Sequence, residues 1–309
     1  MSRDCITKKL ALLISVAAML LSSAVSGNDA RVLIVVGPTD HPPGVHECAA
    51  DGRLLAHCLE NMENLPGIEA DVVEEWPGKE LQDAASTVVF LGDGFPPNRF
   101  PNADQNLADL EGMMARGCGI VCIHYATGLF GEDVSPKGEH PLLRWMGGYF
   151  AHKSCPHHQS VAKVFHDATI TPAAPEHPVS RGWNEFVFTD EPYIQNYFGE
   201  HGGELGPNVT AFATSMLPPE DPKKEVVAWG IDREDGGRGF GIVMLHFYKN
   251  WLLEDLRRFI LNGIVWSAGL EVPEDGVKTA KPDLDSFGAS SLEFIPRKKQ
   301  PPKAPKGTP

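Results

Sequence analysis

The chain has 309 residues, 42% of them hydrophobic and 22% charged, a balance that excludes collagen-like, coiled-coil and wholly disordered chains. Its length has room for one large domain or two small ones. The net charge of −14 excludes a general nucleic-acid binder, because phosphate contacts need a surplus of Lys and Arg. Residues 1–27 carry +2 and residues 277–309 carry +4, which leaves −20 on the body between them and disfavours binding to an anionic membrane surface.

Arg3, Lys8 and Lys9 precede the apolar run 10–21, and small residues follow to Gly27. A basic start, a short apolar core and small residues at the cut make a secretory signal, with cleavage expected near residue 26 or 27. The run is too short to span a bilayer, which takes about 20 apolar residues. The mature protein is therefore expected to be exported, periplasmic or extracellular, and free of the membrane. Five cysteines remain after the cut: Cys48, Cys58, Cys118, Cys122 and Cys155. An odd number cannot all pair within one chain. Cys118 and Cys122 read as small core residues.

The run 31–36 is continuous and β-branched, as for a strand buried on both faces of a parallel sheet. A Pro-rich loop follows, then a helix over about 47–62 with Leu54, Leu55, Leu59 and Met62 on one side. Residues 68–75 and 87–91 read as strands, 103–116 as a helix ending at Gly117, and 119–123 as a fourth strand ending at His124. Residues 128–222 are less regular, with short strands expected near 160–165, 184–188 and 209–213. Strands return at 225–230 and 240–247, and Asn250 is placed to cap a helix running to about 267. The alternation predicts an α/β fold, a three-layer sandwich with a mainly parallel central sheet, over 28–276. Residues 277–309 are polar and are expected to form a disordered tail.

In open α/β sheets ligands bind beyond the carboxyl ends of the strands, and the informative residues gather there. His41, His46 and Glu47 follow the first strand, Asp93 the third, His124 and Tyr125 the fourth, and His246 a late one. Asp190 and Glu191 beside Tyr193 suit sugar hydroxyls or a cation, since carboxylates accept from hydroxyls and ligate metals. His158, His166 and His201 have no such context and are assigned to the surface. There is no Gly-x-Ser-x-Gly elbow and no phosphate-binding glycine loop, which argues against an α/β-hydrolase and against nucleotide binding.

The segments 119–128 (GIVCIHYATG), 147–150 (GGYF) with His152, 177–182 (HPVSRG), Asp190-Glu191 with Tyr193, 227–229 (VAW) and 263–269 (GIVWSAG) follow one another in a specific order. Over about 31–276 the chain resembles the trehalose-utilisation (ThuA-like) family, whose fold is similar to that of class I glutamine amidotransferases. The resemblance implies carbohydrate metabolism, with a role on oxidised (3-oxo) sugars and glycosides. It also places His124 where an amidotransferase has its nucleophilic Cys, and residues 246–248 (HFY) where the triad has His-x-Glu. Glutamine hydrolysis is therefore not expected.

The leading expectation is an exported enzyme acting on a small carbohydrate by acid/base chemistry. His124, His246 and Glu191 are its catalytic candidates, since the free pKa of His lies near working pH. His41, His46, Glu47, Asp93, Tyr125, Asp190 and Tyr193 are candidates for holding substrate. A divalent metal is compatible with His124, His152 and His246 as ligands, although no dense motif identifies the ion. Two other readings stay open: a non-catalytic carbohydrate-binding or interaction module, and a hydrolase using Cys122.

Overall fold

The first strand, β1 (Ala30–Val36), is flanked by two parallel neighbours, so its β-branched residues are covered on both faces. The computed structural model describes residues 30–297; the expected signal lies outside them, as does 298–309. After β1 come α1 (Cys48–Glu60), β2 (Ile68–Val73), α2 (Lys79–Ala84), β3 (Thr87–Leu91), α3 (Pro96–Arg99), α4 (Ala103–Ala115) and β4 (Gly119–Ile123). The pair β5 (Gly128–Leu129) and β6 (Phe150–Ala151) encloses α5 (Leu142–Met146). The remainder comprises β7 (Phe165–Pro172), β8 (Phe186–Asp190), β9 (Val209–Leu217), β10 (Lys223–Asp232), β11 (Arg238–Ile242) and α6 (Glu254–Ser267).

Nine strands form one sheet in the order β2-β1-β3-β4-β11-β10-β9-β7-β8. Its core, β2 to β11, is parallel, and every pairing beyond β11 is antiparallel. The sheet is thus mixed overall, where the sequence reads as mainly parallel. The parallel part has the 2-1-3-4-5 order of flavodoxin-like folds, whose order reverses at β1/β3. A Cβ on Gly239 would strike α5 at Trp145, while the next side chain, Phe240, lies against Gly263 of α6. Successive strand residues face opposite ways, so α5 and α6 cover opposite faces. Trp251, just before α6, donates to Asp51 of α1, and Arg144 of α5 pairs with Glu111 of α4, which sorts the helices into two outer layers.

Four sequence expectations shift. The strand expected near 160–165 begins at Phe165, and Val161 makes only an isolated bridge to Ile194. The strand expected through Phe247 stops at Ile242, because Asp190 captures the N–H groups of Leu245 and His246 and Leu245 turns to φ +87°. Asn250 does not cap α6; its Nδ2 donates to Thr189 O, and the helix starts at Glu254. Residues 277–297 are no loose tail. Val277 and Leu284 are buried, Tyr248 Oη donates to Leu284 O (3.1 Å) and Arg53 Nε to Phe287 O (2.8 Å). Low apolar content concealed this segment because backbone groups supply most of its anchors. All five cysteines among the described residues are free and buried. No described helix is long and apolar enough to cross a membrane.

Candidate metal centre

Five chain segments converge beyond the carboxyl edge of the sheet. The loop after β1 brings His41 and His46, the end of β3 brings Asp93, and the turn after β4 brings His124 and Tyr125. The segment after β11 brings His246, from the strand next to β4. Although β8 stands four places from β11 in the sheet, the chain after it returns to that edge. Tyr193 N donates to Val243 O (3.3 Å), which carries Glu191 and Tyr193 to the same spot.

Three imidazoles meet nitrogen to nitrogen. His46 Nε2 lies 3.0 Å from His124 Nε2 and 3.0 Å from His246 Nδ1, and the latter two are 3.3 Å apart. Glu191 Oε2 joins them, 3.4 Å from His246 Nδ1 and 3.8 Å from His124 Nε2. The outer partners decide where the protons sit. His46 Nδ1 faces Asp93 Oδ1 at 2.6 Å and His124 Nδ1 faces Val243 O at 3.2 Å; both oxygens only accept, so each Nδ1 carries hydrogen. The two Nε2 atoms therefore present lone pairs to each other, an arrangement that suits a cation between them. The spacing of the three nitrogens suits one. Donors about 2.0–2.1 Å from an ion and roughly 90–110° apart lie about 2.8–3.4 Å from one another. Three imidazoles with a carboxylate match zinc or a similar divalent transition ion.

Asp93 belongs to the outer shell. Its other oxygen accepts from His41 Nδ1 at 2.8 Å, so both oxygens are taken by hydrogen bonds from imidazole N–H groups. Burial alone would raise its pKa, yet the bonds from His41 and His46 hold it below the ordinary value. The imidazoles shift the other way. Burial lowers His46, lowers His124 well below the ordinary value, and brings His246 to about 3, with neighbouring histidines adding to the last two. All three are thus neutral and able to ligate at pH 7. Burial, helped by Asp190, raises Glu191 to about 7.

The backbone is forced here. His46 (φ +46°), His124 (φ +51°) and Leu245 (φ +87°) occupy the left-handed region, which costs a non-glycine residue about 1–3 kcal/mol. The sharp turn at His124 lifts its ring off the end of β4. Tyr193, fully buried, stacks on that ring (centroids 4.5 Å) and sets its hydroxyl 3.1 Å from His124 Nε2.

Three candidates do not join. His152 bonds Ser154 through Nδ1 and lies against Phe130, so it lines the mouth, and His46 with Glu191 completes the donor set instead. Asp190 is buried with its oxygens on the N–H groups of Glu191, Leu245 and His246; it shapes the backbone and reaches no substrate. Glu47 accepts from Gly44, Ser290 and Ser291 N–H groups, outside the centre. The Cys122 thiol is fully buried and its pKa is pushed well up by that burial, so it is no nucleophile. Tyr248, at the place of the amidotransferase acid, is buried with its hydroxyl on Leu284 O. That His46 joins His124 and His246 was hidden in the sequence, because it sits in a loop whose path strand order does not predict.

His41, Tyr125, Glu191 and Tyr193 line a cavity of ≈ 460 Å³ together with Phe150, Lys153 and Ser160. That is within the usual size of a small-molecule site, about 300–1,000 Å³.

A family model described as trehalose utilisation (ThuA) matches residues 31–267. The crystal structure of a ThuA-like protein from Bacteroides uniformis ATCC 8492 is 16% identical, with 79% of this chain and 93% of that one covered and a TM-score of 0.56. A second, from Parabacteroides merdae ATCC 43184, is 17% identical over 82% of this chain and 98% of the other, with a TM-score of 0.53. These likenesses establish the shared fold. No curated protein matches the sequence.

Proposed function

Since this chain belongs to the ThuA family, the trehalose-utilisation proteins, we propose that it is a metal-dependent enzyme acting on a carbohydrate, an oxidised (3-oxo) glycoside in particular. The observation that carries this reading is the meeting of three neutral imidazoles, their nitrogens 3.0–3.3 Å apart, with a carboxylate 3.4 and 3.8 Å from two of them, beside a cavity of sugar size. A divalent ion held there would polarise a carbonyl oxygen and acidify the neighbouring C–H.

His46, His124 and His246 would hold the ion, with Asp93 and Val243 O fixing the tautomers of the first two. Glu191 titrates near neutrality and can either complete the shell or act as base. As base it takes the proton from the carbon next to the carbonyl. It returns that proton to the departing glycosidic oxygen in an elimination, or to the carbonyl carbon in an isomerisation, in which the neighbouring hydroxyl's proton passes to the former carbonyl oxygen. Tyr193 and Tyr125 stay protonated well above neutral pH, because burial raises both, Tyr125 to about 12, so each can donate to a substrate oxygen. In this reading residues 1–27 direct export and are removed near 26 or 27.

The test is metal analysis of protein purified without an affinity tag, followed by turnover assays on oxidised glycosides with and without chelator. About one ion per chain and chelator-sensitive turnover are expected. Metal-free protein that turns substrate over would refute the metal role. Bound metal and sugar without turnover would leave a binding module.

A further inference from the structure

The C-terminal segment 289–297 contains no fully buried residue, and only Ala289 and Leu292 of it pack against the core. Its anchors fall on one target, the loop that carries His41 and His46. Ser290 and Ser291 N–H groups donate to the two Glu47 oxygens (2.9 and 3.3 Å), and Glu47 Oε1 also accepts from Gly44 N (2.8 Å). Ile295 N donates to Pro43 O (2.9 Å), and Arg297 pairs with Asp40 (2.6 Å). At Gly44, with φ +87°, a Cβ would stand 2.3 Å from Glu293 O, so the two backbones are in direct contact. Beyond the loop the segment meets the stretch just past His246, where Glu293 pairs with Lys249 and the Phe294 ring lies 6.3 Å from that of Phe247.

His46 sits between these anchors in a left-handed conformation that persists only where the surroundings over-determine it. Its own N–H donates to His246 O (3.1 Å), so the loop and the segment after β11 are held as a pair. We propose that residues 289–297 and Glu47 form a positioning strap, which fixes the strained His46 backbone and so keeps the three imidazoles in register for metal. Glu47 acts through His46 and touches no ligand. The inference rests on the metal reading above.

Cobalt(II) titration, read by visible absorption, tests it on four proteins: the full chain, truncations after Arg297 and after Gly288, and Glu47→Gln. The full chain should bind cobalt with the strong absorption of a four-donor site, and the truncation after Arg297 should match it. The truncation after Gly288 and Glu47→Gln should bind about 10–100-fold more weakly, the usual effect of losing an outer partner, with weaker, shifted bands as His46 leaves. Melting of the metal-free proteins is measured alongside. Unchanged cobalt affinity after removal of 289–309 overturns the inference. If that truncation melts far below its parent, Glu47→Gln decides, and parental affinity there overturns it. A full chain that takes up no cobalt overturns the metal reading, and the strap with it.

Discussion

His124 concentrates the argument at the scale of single residues. It ends a fully buried strand, adopts φ +51°, and touches His46, His246, Tyr193 and Glu191. His124→Ala is expected to fold, lose bound metal and fall at least about 100-fold in turnover. His158→Ala, on a half-buried ring that meets Gln195 O away from the cluster, should change neither. A His124→Ala protein that melts lower yet keeps its metal would remove His124 from the centre. Asp51 offers a second test. It is buried, bonded by Trp251 Nε1 at 2.6 Å, and raised to about 7 by that burial. An acid with a raised folded pKa binds its proton more tightly when folded. Stability is therefore lost as pH climbs from about 4 through 7. Asp51→Asn keeps the bond from Trp251 without the charge, so its gain in urea-unfolding free energy should be about 2 kcal/mol larger at pH 8 than at pH 5. Equal gains would show that Asp51 titrates normally. Of the individual residues, those directly after strands, His124 and His246, were legible in the sequence. His46 and the outward assignment of His152 were not, since both depend on how irregular loops fold back.

Among the elements, β11 and α6 hold the centre from behind. Gly263 on α6 leaves room for the Phe240 ring of β11, and a Cβ there would stand 2.1 Å from it. Gly263→Ala should cost about 1–3 kcal/mol, the range for overpacking a filled core, and thermal melting would show it as a drop of a few degrees. An unchanged melting temperature would mean that the ring swings aside at no cost. The inner parallel strands were readable because both faces of each are buried, which writes an unbroken apolar run such as 87–91 or 119–123. The antiparallel extension was harder. Its strands β7 and β8 alternate buried and exposed residues over short lengths, and the ladder between them carries a register shift. The end of β11 was misjudged for a different reason. Residues 243–247 are as apolar as a strand, and only the buried Asp190, 55 and 56 residues away, takes them out of the ladder.

For the whole molecule, metal occupancy and stability should rise together. An ion at 100 times its Kd adds about 2.7 kcal/mol if the unfolded chain does not bind it. Zinc should thus raise the melting temperature by several degrees and chelator reverse it; no shift at saturating zinc would count against the centre. The acidic body and the layered architecture could be anticipated from composition and period, whereas the course of 277–297 could not, because hydrogen bonds from its backbone leave no mark in side-chain pattern. One distance has a kinetic meaning. His46 Nε2 and His246 Nδ1 are 3.0 Å apart in space and 200 residues apart along the chain. Contacts so remote form only after the entropy of closing a very long loop has been overcome, so they come late in folding. The donor set can exist only once the last strand of the parallel core has docked. During refolding, ion uptake should therefore follow the slowest structural phase and report completed chains alone, while any partly folded form stays blind to the metal.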